Sequence, residues 1–214
     1  MQYVKELNSQ KVKGYSYAEF ILWMGKLVKE GKTTGVNQDK SLVEFTALNL
    51  KRMQRIDKTL QVEERLFQPF KNLGTNQKWI VITEGWCGDS AQTLPLIHKI
   101  AEILGDKVSL KIILRDKNPE WIAMYPTKGS RSIPKLISFD GEGKEQFTWG
   151  PRPHAAQQLL LDWKANKSSA GKSWEEFEID LHTWYTKDKG KTIQNEFVEL
   201  QIAQNKEFQT SKAA

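Results

Sequence analysis

Ile80-Val-Ile-Thr-Glu-Gly-Trp86-Cys87-Gly88-Asp89-Ser90 is the stretch on which the reading of this chain turns. Trp79-Ile-Val-Ile-Thr83 is a short, apolar, β-branched run bounded by turn residues, which predicts a buried strand. Ala91, Leu94, Ile97, Ile100, Ala101 and Leu104 then recur at helical spacing and stop at Gly105. Cys87 therefore falls where a strand ends and a helix begins. Further out, Val108 to Leu114 predicts a second strand, and Asn118-Pro-Glu-Trp121 opens a short helix with proline in its first turn. Lys135 to Phe139 predicts a third strand, Asp140-Gly-Glu-Gly143 a hairpin turn, and Glu145 to Trp149 the partner strand. A helix follows from Pro153 to Lys164. The order β-α-β-α-β-β-α predicts a sheet of about four strands covered by helices on both faces, an α/β fold.

The flanks read differently. Tyr17 to Val28 is an apolar-rich helix stopping near Gly31, and Leu42, Phe45, Leu48, Asn49, Arg52, Met53 and Ile56 mark one face of a second helix. Val62, Leu66, Phe67 and Phe70 continue after a break near Gln61, and Gly74-Thr75-Asn76 is a loop. Asn166 to Gly171 is expected to be a loop or linker, followed by helices over Trp174–Thr186 and Ile193–Phe208 and a frayed tail from Gln209. The expected organisation is thus an N-terminal helical extension (1–73), a central α/β domain (74–165) and a C-terminal helical extension (166–214).

Length and composition bound the function. With 214 residues the chain can bury a core without disulfide staples, and its single cysteine excludes any intramolecular disulfide or Cys-rich zinc module. A mean hydropathy of −0.58 suggests a polar chain, but 8 Trp, 9 Phe and 5 Tyr argue against disorder. There is no apolar run long enough for a bilayer span and no apolar leader at the N-terminus, so a cytoplasmic protein is expected. The net charge of +6 is concentrated in residues 1–73, with 13 basic and 8 acidic residues, but interspersed. That pattern is a solvated helix surface, not a nucleic-acid footprint. His98, His154 and His182 have no ligand spacing and are expected at the surface or at helix caps, so no metal is expected.

A cysteine at a strand-to-helix junction has a chemical use. Free N–H groups and the helix dipole favour the thiolate, which is the nucleophile of disulfide exchange. Asp89 opposes this if ionised, so a modest net lowering of the Cys87 pKa is expected. Asp89 is read either as a helix cap with its charge in water or as a chemical partner.

Trp86-Cys-Gly-Asp-Ser90 resembles the thioredoxin motif Trp-Cys-Gly-Pro-Cys, with Ser90 in place of the second cysteine. Pro95 stands where thioredoxins kink the active-site helix. Arg131-Ser-Ile-Pro134 resembles the segment bearing the family's cis-proline, Phe139-Asp-Gly141 the end of the next strand, and Gly150 the glycine before the last helix. The resemblance covers residues 75–165 and is to single-cysteine bacterial thioredoxin-like proteins. It departs at Val81, where thioredoxins carry a buried acid, and at Ser90, which cannot resolve a mixed disulfide.

The resemblance implies Cys87 as nucleophile, with Ser90 and Asp89 beside it. Trp86, Gly88, Arg131, Ile133 and Pro134 would line the substrate site, the Ile133 backbone pairing with an extended substrate. Arg131 is either a solvated residue or a partner for a thiolate or carboxylate, and Glu84 and Ser90 are equally open between structural and chemical roles. The outer-helix aromatics are read as core, with room for a ligand groove between the N-terminal helices and the sheet. Three functions follow: a monothiol thiol–disulfide oxidoreductase acting on protein or low-molecular-weight disulfides and resolved by an external thiol; a redox-inactive module binding a peptide or partner; and, by likeness to monothiol glutaredoxins, an iron–sulfur carrier. No cofactor is implied for the first two.

Overall fold

The computed structural model describes residues 14–71 and 76–213. Gly74 and Thr75 of the expected loop lie outside the described residues, as do residues 1–13 and Ala214. The sheet has four strands, β1 (Gln77–Thr83), β2 (Val108–Leu114), β3 (Lys135–Phe139) and β4 (Glu145–Trp149), in the order β2-β1-β3-β4. β1 pairs parallel with β2 and antiparallel with β3, which in turn pairs antiparallel with β4. The hairpin between β3 and β4 closes because the Asp140 carboxylate accepts the N–H groups of Glu142 and Lys144 at 2.9 Å each.

The helices are α1 (Tyr17–Lys29), α2 (Lys40–Thr59), the short α3 (Gln68–Lys71), α4 (Gly88–Leu104), α5 (Pro119–Met124), α6 (His154–Ala170), α7 (Trp174–Asp188) and α8 (Lys191–Ala213). α1 and α7 each begin with a reciprocal capping box, Ser16 with Glu19 and Ser173 with Glu176. Asn166 to Ala170 is helix, not the loop expected. Ser and Ala continue the helix, and the turn is made at Gly171 (φ 64°). α8 likewise runs to Ala213, where a frayed tail was expected.

Side chains alternate along β1 between two cores. Trp79 and Val81 face a large cluster built with α1, α2, α4 and α8, whereas Ile80 and Ile82 face a smaller one with Trp121, Ile122, Ile133 and Cys87. Trp79, fully buried, meets Phe70, Phe147 and Phe197 edge-on at 5.5–6.1 Å. Both extensions therefore contribute to the core under the sheet. A third cluster, Ala156, Leu160, Phe177, Leu181 and Tyr185, fastens α7 to α6.

Candidate active site

β1 ends at Thr83, and the turn Glu84-Gly85-Trp86 delivers Cys87 as the N-cap residue of α4. Two of the chain's outer elements hold this turn. Thr34 donates its hydroxyl to the buried Glu84 carboxylate and accepts the Gly85 N–H at 2.7 Å. From α2, Asn49 donates to the Gly85 carbonyl at 3.0 Å. Burial lifts Glu84 above the ordinary carboxylate range, against the pull of Thr34 and the Asp116 N–H. The Arg115 guanidinium stacks 4.6 Å from the Trp86 ring centre, fixing that half-buried indole at the site.

The Cys87 thiol donates to the Ile133 carbonyl at 3.3 Å. The Ile133–Pro134 and Gly150–Pro151 bonds are cis. Gly150 adopts φ 109°, and a Cβ there would lie 2.3 Å from the Pro134 carbonyl oxygen, so only glycine permits this approach of β4's end to the Ile133 loop. The Ser90 hydroxyl and the N–H groups of Asp89 and Ser90 lie within hydrogen-bonding reach of the sulfur. Ser90, fully buried, accepts from Thr83.

The electrostatics overturn the sequence expectation for the thiol. Burial, then the Asp89 charge, pushes the Cys87 pKa up to about 11, outweighing the N–H groups and Ser90. Cys87 is only 8% exposed. The helix terminus supplies a few tenths to one kcal/mol, too little to offset desolvation.

Asp89 is neither a cap nor solvated. Its buried carboxylate accepts Arg152 Nε at 3.0 Å and Nη2 at 2.6 Å, and the Tyr185 hydroxyl at 2.8 Å. Burial raises its pKa, opposed by Arg152 and Tyr185. The cation close to the thiol is thus Arg152, while Arg131, exposed, lies on the rim. His182, expected at the surface, packs against Gly88 (a Cβ there would be 3.3 Å from the ring) and pairs with Gln92 at 3.0 Å. Burial and Arg52 hold it neutral, with a pKa near 4.

Cys87, Trp86, Gly88, Asp89, Arg131 and Ile133 line one cleft of about 1150 Å³. Ser90 and Pro134 lie behind it. Arg52, Arg152, His182 and Tyr185 are the site residues the sequence reading missed. Arg152 follows Gly150-Pro151 with no periodic signal. Phe177, Leu181 and Tyr185 do recur at every fourth position, which marks a buried face of α7 but not what it covers.

A strand, a helix capped by cysteine and a facing Ile-Pro loop define a thioredoxin-like α/β protein with one thiol. A thioredoxin family profile matches residues 35–167, and the chain belongs to the thioredoxin family. It is 41% identical to a thioredoxin of Rhodospirillum rubrum over 58 residues, 27% of this chain and 53% of the relative, and thus spans about half that relative's length. With a thioredoxin of Rickettsia prowazekii the identity is 36% over 84 residues, 39% of this chain and 72% of the relative. The crystal structure of an HIV epitope scaffold superposes with a TM-score of 0.51 at 17% identity, covering 88% of this chain and 98% of the scaffold, a likeness of fold alone. Among the described residues, no helix is long and apolar enough to cross a membrane.

Proposed function

We propose that this protein is a monothiol thiol–disulfide exchange protein in which Cys87 forms a mixed disulfide that an external thiol resolves. The observation that carries this reading is the Cys87 sulfur at the floor of the cleft, beside the Ile133 carbonyl and two helix N–H groups. The N–H groups stabilise negative charge on the sulfur at the moment of attack. Ser90 hydrogen-bonds that charge and leaves resolution to an incoming thiol, which a reducing cytoplasm supplies. The raised pKa makes the resting thiol slow and favours exchange with ligands that dock first.

A second reading, a binding module without turnover, is favoured by one observation: the thiol is neutral and nearly enclosed. Mass spectrometry of the folded protein incubated with 2-hydroxyethyl disulfide separates the two. An adduct on Cys87, released by added thiol, is expected. If Cys87 stays unmodified while the urea-unfolded chain reacts, the binding module takes its place.

A further inference from the structure

In the cleft over Cys87, two walls rise beside the sulfur: Leu42, Phe45 and Leu48 of α2, and Trp174, Ile179 and His182 of α7. The second wall is anchored through buried contacts. Tyr185 is hydrogen-bonded to Asp89, and His182 pairs with Gln92 over Gly88. Spreading the walls would break these bonds. A disulfide under attack must bring both of its sulfurs and its leaving half down to Cys87. A disulfide on a folded protein would have to carry its backbone between the walls. A free small molecule meets no such bar, and the cleft, at about 1150 Å³, is just above the roughly 300–1,000 Å³ of small-ligand sites, which leaves room for both halves of a small disulfide.

The lining also has a charge preference. Among the described residues, Arg52, Arg131 and Lys187 line the cleft with no carboxylate in ion-pair distance, and Arg52 donates a hydrogen bond to Asn49 at 3.0 Å. Two carboxylates share the lining, Glu175 and Glu178; Glu178 accepts a hydrogen bond from Trp174 and interacts electrostatically with Arg52, so these three cations exceed the two carboxylates by one charge. Arg52 comes within 4.0 Å of the Cβ position above Gly88, next to the thiol.

We propose that the cleft between α2 and α7 admits a low-molecular-weight disulfide bearing carboxylates, and excludes disulfides of folded proteins. The inference rests on Cys87 being an exchange thiol. In the step itself the Cys87 sulfur attacks one sulfur of the disulfide and the S–S bond breaks. A Cys87–S–S–R bond forms, and the other half leaves as a thiolate that takes up the proton Cys87 gives away.

The test measures adduct formation on Cys87 with dithiodiglycolate (a dianion), cystamine (a dication) and insulin, each rate divided by that of the urea-unfolded chain at equal ionic strength. Dithiodiglycolate is expected to exceed cystamine by about ten-fold, as two charge contacts give, and the insulin adduct to be at least about a hundred-fold slower than either. The Arg52→Gln/Arg131→Gln double variant should bring the first ratio close to one. Insulin reacting as fast as the small probes, or a ratio near one in the parent protein, overturns the substrate class and leaves exchange standing. Reaction with none of the three, while the unfolded chain reacts with all, overturns both.

Discussion

Asp89→Asn tests the electrostatics of the thiol most directly. The substitution removes the negative charge nearest Cys87 and frees Arg152, which already feels the cysteine. Cys87 caps α4 and Asp89 is its second residue, a spacing of about 6 Å by helix geometry. At an effective dielectric near 20 the repulsion is roughly 2–3 kcal/mol, about half of it cancelled by the guanidinium paired to Asp89. The remainder is about one pKa unit. Cys87 should therefore titrate near 10 instead of about 11, and iodoacetamide should react with it about ten-fold faster at pH 8. The variant also loses a buried ion pair, at about 3 kcal/mol or more, so faster alkylation through opening has to be told apart. The pH profile does so: reaction through an opened state follows a free thiol near 9.0, whereas reaction in the folded protein has its midpoint between that and 11. An unchanged rate, or a midpoint that moves up, refutes the reasoning.

Because the thiol's folded pKa of about 11 lies above its ordinary 9.0, it contributes stability below pH 9 that is lost as pH rises to 11; Cys87→Ser should remove a difference of roughly 2–3 kcal/mol from denaturant unfolding across that window. His182, depressed to about 4, contributes stability above its ordinary 6.5 that is lost as pH falls to 4, so His182→Gln should flatten the acid limb of the unfolding curve by roughly 1–2 kcal/mol after solvent screening. Gly150→Ala places a Cβ against the Pro134 carbonyl and should cost about 3 kcal/mol in thermal unfolding, with a faster-reacting Cys87 as the Ile133 carbonyl moves off the thiol. Ser90→Cys puts a second thiol within reach of the first, and mild oxidation should join it to Cys87, read as loss of alkylation that dithiothreitol restores.

The strands, the position of Cys87 at the head of α4 and the Asp140 turn were legible because each rests on local pattern: β-branched runs, helical spacing and turn residues. The thiol's pKa was not. The dipole and Asp89 are local to Cys87, but the burial that dominates comes from the cluster it shares with Ile113, Trp121, Ile122 and Ile133, residues that only folding brings to it. Asp89 shows the same limit. As the fourth residue of Trp86-Cys-Gly-Asp-Ser90 it reads as either a cap or a chemical partner, and only folding brings Arg152 and Tyr185 onto its two oxygens. The Asn166–Gly171 stretch misled because Ser and Gly often mark loops, whereas here only Gly171 turns the chain.

The aromatic contacts of Trp79 bear on how the chain tolerates change. Phe197 sits near the end of the sequence, where truncation and substitution are ordinarily cheap. Here its ring fills the space under β1, 5.5 Å from the Trp79 ring and 5.4 Å from that of Trp149. Loss of Phe197 would leave a void beneath the strand that delivers Cys87, at a cost of about 3–5 kcal/mol, a large share of the stability of a whole domain. Drift at Phe197 is therefore constrained as tightly as drift in the sheet, although the helix that carries it is exposed over much of its surface.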